Sequence, residues 1–308
     1  MSTPRPVHPP RTGSVVGWFA PVRPEARVAI LRTVLYVFVI LDLHLFVRDP
    51  IPLSHHPDLY RPLALARLFH LPPPSLPLAW GLYVVLVVGC LVGAAGRAPR
   101  VAGFVVAAAT TWWVAIGFSY GKVDHDHLAL VVALWLLPTV GPVPGGRAST
   151  RWSSQAGWVL KGIQIAVVAT YFLSAAAKIR SGGWSLTSWP DSSILMWAIV
   201  RRPHGLGQFL IPFPGLLHVM QWCSILFELS SVVVLWLRGR ALLVAALSWM
   251  GFHVFTLALL YIHFAPTVVC WLAFAPLERL GPWWRARHPP LEPPVPIPPR
   301  PTRQLSSR

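Results

Sequence analysis

The feature that most constrains this chain is a series of apolar runs, each close to the length that crosses a bilayer. A transmembrane helix needs about 20 predominantly apolar residues. Together with a mean hydropathy of +0.57 and a charged fraction of only 12%, the runs predict an all-α, polytopic membrane helical bundle of about eight transmembrane helices. The runs lie at residues 27–47, 78–96, 101–120, 127–141, 157–178, 215–237, 241–261 and 264–277, of which the fourth and the last are short.

Lysine and arginine are unevenly distributed over the segments that connect these runs. When the segments are assigned to alternate sides of a membrane, 17 of these residues fall on the side of the two termini and 8 on the other side. Because cytoplasmic loops carry the excess of Lys and Arg, we expect a multi-pass protein of the cell membrane with both termini in the cytoplasm. The net charge of +16 does not indicate a nucleic-acid partner, since the basic residues occur in ones and twos between apolar segments. The partner that the pattern predicts is the lipid bilayer.

Composition divides the chain into three parts. Residues 1–24 and 281–308 are rich in proline and arginine and are interpreted as disordered tails on either side of a transmembrane domain at 25–280. The long outer loops at 48–77 and 184–214 alternate apolar and polar residues, which favours short helices lying in the membrane interface. The three cysteines fall inside predicted spans without a short spacing, so we expect neither a disulfide framework nor a metal site.

Ionisable groups at membrane depth are costly, and each one therefore marks a structural or functional site. All histidines except His8, His253 and His288 fall in the predicted outer loops or at outer helix ends, which points to chemistry at the outer face. Lys178 ends the fifth run in YFLSAAAKIRSGGW. Two interpretations are open: an anchor that snorkels to the bilayer surface, or a general base that is desolvated among small residues and covered by the chain as it turns back.

Other polar residues allow similar alternatives. In YGKVDHDHLAL, helical geometry would place Asp124 on the side of His127 and turn His125 away from His127 by about 200°. Two diverging histidines make a poor chelate, and one of them suits an acid–base role. Glu228, deep in the sixth run, either holds the bundle by a salt bridge or hydrogen bond or lines a pocket. His253 is open to the same two interpretations.

Four segments resemble, in the same order, the membrane domain shared by vitamin K-dependent gamma-glutamyl carboxylase and its bacterial relatives, the horizontally transferred transmembrane (HTTM) family. They are DHDHLAL, YFLSAAAKIRSGGW, FELSSVVVLW and FHVFTLALLYIHFAP, and the resemblance spans about residues 26 to 277. It implies that Lys178 is the base that deprotonates a reduced naphthoquinone, a menaquinol or vitamin K-like cofactor, and that His125 supports the carboxylation half of the reaction. The expected pocket or supporting residues are Asp124, His127, Trp184, Glu228 and His253.

The resemblance also implies a reaction class. In the carboxylase, the oxygenated quinol removes a proton beside a glutamate carboxylate, carbon dioxide adds to the carbanion, and the quinone epoxide is released. The carboxylase carries a large lumenal region that grips its protein substrate, whereas the segment after the last apolar run is predicted here to be a short cytoplasmic tail. We therefore expect quinol oxygenation or proton abstraction from a small or lipid substrate. The alternatives are a small-solute or lipid permease and a non-catalytic membrane scaffold or export subunit. A scaffold should tolerate Lys178→Arg, whereas a lysine base should not.

Overall fold

A computed structural model describes residues 15–279, whose regular structure is almost entirely helical. Two short strands, β1 (Arg23–Pro24) and β2 (Trp152–Ser153), pair antiparallel. In chain order the α-helices are α1 (Val15–Phe19), α2 (Glu25–Leu45), α3 (Pro50–Leu53), α4 (Ala64–Leu68), α5 (Leu76–Ala94), α6 (Pro99–Phe118), α7 (Leu128–Leu136), α8 (Ser154–Ser181), α9 (Ile194–Val200), α10 (Pro214–Ser230), α11 (Gly239–Leu260) and α12 (Ala265–Cys270). The 3-10 helices are Pro57–Leu59, His125–His127, Leu137–Val140, Gly146–Ala148, Leu206–Leu210, Ser231–Leu235, Trp271–Phe274 and Leu277–Arg279.

Six of these helices are long and apolar enough to cross a membrane: α2, α5, α6, α8, α10 with its 3-10 extension, and α11. The predicted all-α polytopic membrane fold is thus confirmed, but the count of eight spans is not. The fourth and the last apolar runs form the shorter segments His125–Val140 and Ala265–Phe274. In the first of them the α-helix gives way to a 3-10 helix next to Pro138, whose ring nitrogen carries no hydrogen to donate.

The segments predicted on the side of the two termini lie together at one end of the bundle, which we name the terminal end. There β1 pairs with β2, and Arg27 donates to the two carboxylate oxygens of Glu278 at 2.7 and 2.6 Å. Residues 15–24, expected to be part of a disordered tail, instead form α1 and β1. Trp18 of α1 packs against Trp236, with ring centroids 5.6 Å apart, and this contact fixes the segment on the bundle. The rest of both predicted tails lies outside the described residues.

The opposite end, which we name the loop end, collects the two long loops. They contain α3, α4, α9 and two 3-10 helices, so the predicted short helices are present. The amide of Arg61 donates to the carbonyl of Ser119 at 2.9 Å, and the Tyr120 hydroxyl donates to the carbonyl of Leu53 at 2.9 Å. These bonds fasten the first loop to the end of α6.

Packing is tightest among α2, α5, α6, α7 and α8, where Leu35, Tyr36 and Trp113 are fully buried. Helix α11 differs, because Trp249, His253 and Leu259 are its only buried residues. A membrane-length helix with so few internal contacts can expose most of its surface only to lipid. It forms one wall of a cavity, and that cavity contains the candidate site.

Candidate functional site

A cavity of about 710 Å³ lies between α8, α10 and α11 and extends toward the loop end. Its walls are mostly aliphatic and aromatic, which together with a few convergent polar groups is typical of a small-molecule site. Three residues singled out in the sequence, Lys178, His125 and Glu228, line this one cavity. The other polar lining residues are Thr170, Tyr171, Ser174, Gln221, Ser224, Ser248 and Thr256.

Lys178 lies three residues before the end of α8. Side chains on an α-helix tilt toward its N-terminus, so this lysine reaches back into the bundle and not out to the bilayer surface. Its Nζ donates to both carboxylate oxygens of Glu228 at 2.5 and 2.6 Å and lies 4.6 Å from the centre of the Trp189 ring. The side chain is only 19% exposed. This geometry is not that of a snorkelling anchor.

Glu228 reaches the lysine from α10. The helix begins with Pro214, a residue preorganised for a first helical turn, and Glu228 follows 14 residues later, about 21 Å along the axis at 1.5 Å per residue. Both interpretations made from the sequence hold, because Glu228 forms an ion pair between helices and also lines the cavity. The paired charges compensate each other, which allows both side chains to lie deep in the bundle.

His125 enters the same cavity from the segment before α7. That segment is not the α-helix assumed from the sequence: Asp124 is extended, and the next three residues form one 3-10 turn. Asp124 consequently does not share a side with His127. It forms ion pairs with Lys122 and, at 4.0 Å, with Arg48. The two histidines do diverge, since His125 lines the cavity and His127 does not.

His127 is enclosed by two carboxylates. Its Nδ1 lies 3.0 Å from Asp126 Oδ1 and its Nε2 lies 3.2 Å from Asp42 Oδ2. All three side chains are buried. The carbonyl of Asp126 in turn accepts a hydrogen bond from Thr267 Oγ1 at 2.7 Å. His127 is therefore a supporting residue that joins α2 to α7 and α12, and no local pattern indicates this because Asp42 lies 85 positions earlier.

Tyr171 connects the cavity to His253. Its hydroxyl accepts a hydrogen bond from Trp271 Nε1 at 2.8 Å and shares a second hydrogen bond with His253 Nε2 at 2.6 Å. His253 is buried behind this hydroxyl, and its Nδ1 has no hydrogen-bond partner among the described residues. Sequence reasoning missed the tyrosine, although the helical spacing of Tyr171, Ser174 and Lys178 places all three on one face of α8.

Trp184, expected among the pocket or supporting residues, is not the tryptophan that lies next to the lysine. Trp184 is 74% exposed, adopts a φ of 66° in the turn after α8, and does not line the cavity. The chain does fold back over Lys178, but it does so with Trp189. Gln221 holds this cover in place, since its Nε2 donates to two backbone carbonyls just after Trp189 at 2.6 and 2.7 Å.

The cavity is open midway along α10 and α11. Ser248, Gly251 and Phe255 on α11 line the cavity and are also exposed, as is Cys223 on α10. These residues lie near the middle of helices that are long enough to span a membrane. In a bilayer the opening would therefore face the hydrocarbon, where a lipid-soluble molecule would approach.

Comparison with known proteins adds no assignment to these observations. No known protein family matches the chain, and no curated protein or solved structure is significantly similar to it. The structure itself establishes a multi-pass helical membrane protein with an amine–carboxylate pair inside an apolar, laterally open cavity.

Proposed function

We propose that this chain is a vitamin K-dependent carboxylase-like membrane enzyme of the HTTM type, in which the Lys178–Glu228 pair removes a proton from a reduced naphthoquinone. The observation that carries the proposal is the place of this pair, on the wall of an apolar cavity that opens between membrane-length helices. A lipid-soluble acid can reach the Lys178–Glu228 pair without passing through water. A cavity that excludes water also keeps a reactive base from taking its proton from water instead of from the substrate. His125 lines the same cavity and is the second acid–base group.

The cavity suits a reduced naphthoquinone in size and in lining. Its volume of about 710 Å³ falls within the range of roughly 300–1,000 Å³ that is common for small-molecule sites. Phe227, Phe252 and Trp189 would hold the fused rings, while Lys178 and Glu228 would receive a hydroxyl group. When bound, the reduced naphthoquinone supplies that acidic hydroxyl and the electrons for oxygen chemistry.

The Lys178–Glu228 pair can take up a proton without leaving an isolated charge. With the lysine protonated and the glutamate ionised, the pair has no net charge. As Lys178 accepts a proton from the substrate, it can pass one of its own to Glu228 over a hydrogen bond of 2.5 Å. The pair then carries one positive charge beside the anion that the proton left, and the two attract each other strongly in an apolar site. Glu228 thus relieves the lysine of the need to be neutral at rest.

The proposed orientation places the loop end, and with it the cavity, at the outer face of the cell membrane. It is supported by the excess of Lys and Arg on the terminal side, which favours a cytoplasmic terminal end. Quinols dissolve in the bilayer itself, so access through the opening between α10 and α11 does not depend on this choice.

A direct assay tests the proposal. Purified protein in nanodiscs is given a reduced naphthoquinone and oxygen, with and without carbon dioxide and a glutamyl peptide, and quinone epoxide is measured by mass spectrometry. We expect epoxide from the wild type and a loss of at least about 100-fold in Lys178→Ala, the lower range for an acid–base group. Lys122→Ala is the matched control, because it removes a 63% exposed lysine at the loop end that lies outside the cavity.

The outcomes separate the alternatives. Epoxide formation that survives Lys178→Ala in a folded protein would overturn the base assignment. Wild-type protein that forms no epoxide would overturn the quinol proposal. In that case, solute or lipid flux in proteoliposomes that depends on Lys178 would assign a permease, and the absence of flux would leave a scaffold or export subunit.

A further inference from the structure

The terminal end carries a cluster of cations that the proposed function does not use. Arg23 in β1, Lys161 in α8 and Arg238 just before α11 come from three separate parts of the chain. They meet because β1 pairs with the residues just before α8 and the backbone of Pro21 packs on Gly157, one turn before Lys161. The Lys161 amine in turn reaches the carbonyl of Leu235, three residues before Arg238. In the part of the chain that the structure describes, none of the three forms an ion pair with a carboxylate. The nearby carboxylate of Glu278 is already held by Arg27.

Such a cluster is unfavourable unless an anion balances it. Partial burial, followed by the charges of Arg27 and Arg238, lowers the pKa of the Arg23 guanidinium. An arginine nevertheless stays protonated at physiological pH, because its ordinary pKa is above about 12. The cluster is therefore permanently positive, and a bound anion would relieve its internal repulsion.

The surroundings of the cluster are those of a membrane interface. Lys161 Nζ lies 4.5 Å from the ring centre of Trp18 and donates to the carbonyl of Leu235 at 3.4 Å. Trp18 packs on Trp236, which is 58% exposed, and tryptophans are enriched at the level of lipid headgroups. Val233, in the span next to the cluster, is 56% exposed. A phosphate bound here would have apolar surface directly beside it.

We propose that Arg23, Lys161 and Arg238 bind the phosphate group of an anionic phospholipid whose acyl chains lie along the 3-10 helix Ser231–Leu235. Guanidinium groups bind phosphate oxygens in a bidentate manner, which suits the two arginines, while lysine contributes a point charge. Basic pockets between membrane helices are known binding sites for anionic headgroups on the cytoplasmic side. The exposed valine and tryptophan favour a lipid over a free anion. This site is at the opposite end from the cavity and is independent of the proposed quinol chemistry.

Lipid titration of the purified full-length protein tests the site. The protein is kept in a neutral detergent, phosphatidylglycerol is added, and retained lipid is counted by native mass spectrometry while the unfolding temperature is measured in parallel. The double variant Arg23→Gln, Arg238→Gln should bind phosphatidylglycerol about 30-fold more weakly. This factor assumes that each of the two arginines makes the contribution that one basic residue usually makes to anionic-lipid binding. Without lipid it should unfold at the same temperature as the wild type or higher, since repulsion has been removed.

Two controls keep the proposal falsifiable. The variant Arg97→Gln, Arg147→Gln removes two exposed arginines from the same end and should retain the wild-type affinity; equal losses in both double variants would reduce the site to general surface charge. Inorganic phosphate and phosphatidylcholine should neither displace phosphatidylglycerol nor raise the unfolding temperature, and stabilisation by inorganic phosphate to the same extent would overturn the lipid assignment. Undiminished binding in the cluster variant would overturn the site itself.

Discussion

The contact between Lys178 and Glu228 can be tested without any substrate, because it predicts that the two residues stabilise the fold jointly. Lys178→Met keeps a long side chain but leaves the Glu228 carboxylate, which is 8% exposed, without a cation. Removing one partner of a buried ion pair costs about 3–5 kcal/mol, because an uncompensated charge remains. Glu228→Gln leaves an amide oxygen as acceptor for the lysine, and it should cost about 1.5–3 kcal/mol, the worth of a hydrogen bond to a charged group.

The double variant carries the decisive information. When both charges are absent, no buried charge is left uncompensated, and replacing a whole buried pair is often nearly neutral. Lys178→Met, Glu228→Gln should therefore be at least as stable as Lys178→Met alone. We expect a coupling energy of about 2–3 kcal/mol, the upper range for residues in contact. The measurement is the free energy of unfolding of the four proteins in one detergent, from denaturant titrations followed by circular dichroism.

Lys161 supplies the control on the same helix. It donates to a backbone carbonyl and has no carboxylate partner among the described residues, so Lys161→Met should not couple to Glu228→Gln. If the effects at Lys178 and Glu228 add to within about 0.5 kcal/mol, the amine does not contact the carboxylate in the membrane protein. Lys178 would then return to the anchor interpretation, and the proposed proton acceptor would be lost.

Three further predictions concern the parts of the fold around the site. Gly157→Ala should destabilise the protein by about 1–3 kcal/mol, because the added Cβ would overlap a backbone carbonyl oxygen just before β1. In the control Gly81→Ala the added Cβ meets only open space, so this variant should be neutral or stabilising. Equal effects of the two substitutions would contradict the close approach at Gly157. Gln221→Leu should leave two backbone carbonyls and one amide unpaired, which costs about 1–3 kcal/mol for each group that stays buried. Limited proteolysis should then cut the variant near residues 190–195. If this segment resists the protease as well as it does in the wild type, Gln221 does not hold it in place. Burial by itself raises the pKa of Glu278, but the hydrogen bonds from Arg27 lower this pKa by a larger amount. The net pKa therefore lies below the ordinary value. The stabilisation by the ionised Glu278 carboxylate is thus present above about pH 4.3 and is lost as the pH falls through the lowered pKa. Wild type and Glu278→Gln should therefore differ in unfolding temperature at neutral pH and converge in acid. A difference that persists in acid would contradict the pairing.

Hydrophobicity and segment length were sufficient to predict where the helices lie. In a bilayer each segment must satisfy its own backbone hydrogen bonds, so an apolar run of sufficient length forms a helix whatever surrounds it. The gaps that the same local rule left between predicted runs at 97–100, 142–156 and 238–240 each overlap a connection between helices in the structure. The rule failed for the two short runs. A helix could be predicted in each of them, but the sequence did not show whether a short, proline-containing helix crosses a membrane.

The side chains that form the site were also predictable as candidates, because a charged residue inside an apolar run is costly and stands out. Lys178 and Glu228 could be selected for this reason, and His125 from its place at the outer end of the fourth run; all three line one cavity. Their partners could not be predicted in the same way. Asp124, His127 and Trp184 were grouped with the site by their nearness in sequence, and each of them lies outside the cavity lining.

The sequence by itself therefore determined the membrane class, the helices and the rare polar groups within them, since each of these depends on local hydrophobicity. Only the tertiary structure decided that Lys178 meets Glu228 across 50 positions and that Trp189 covers the lysine. The physical reason lies in α8, whose apolar and polar residues are not divided between two opposite faces. A helix without a net amphipathic face does not indicate which neighbour it meets, so its rotation and depth are set by side-chain packing.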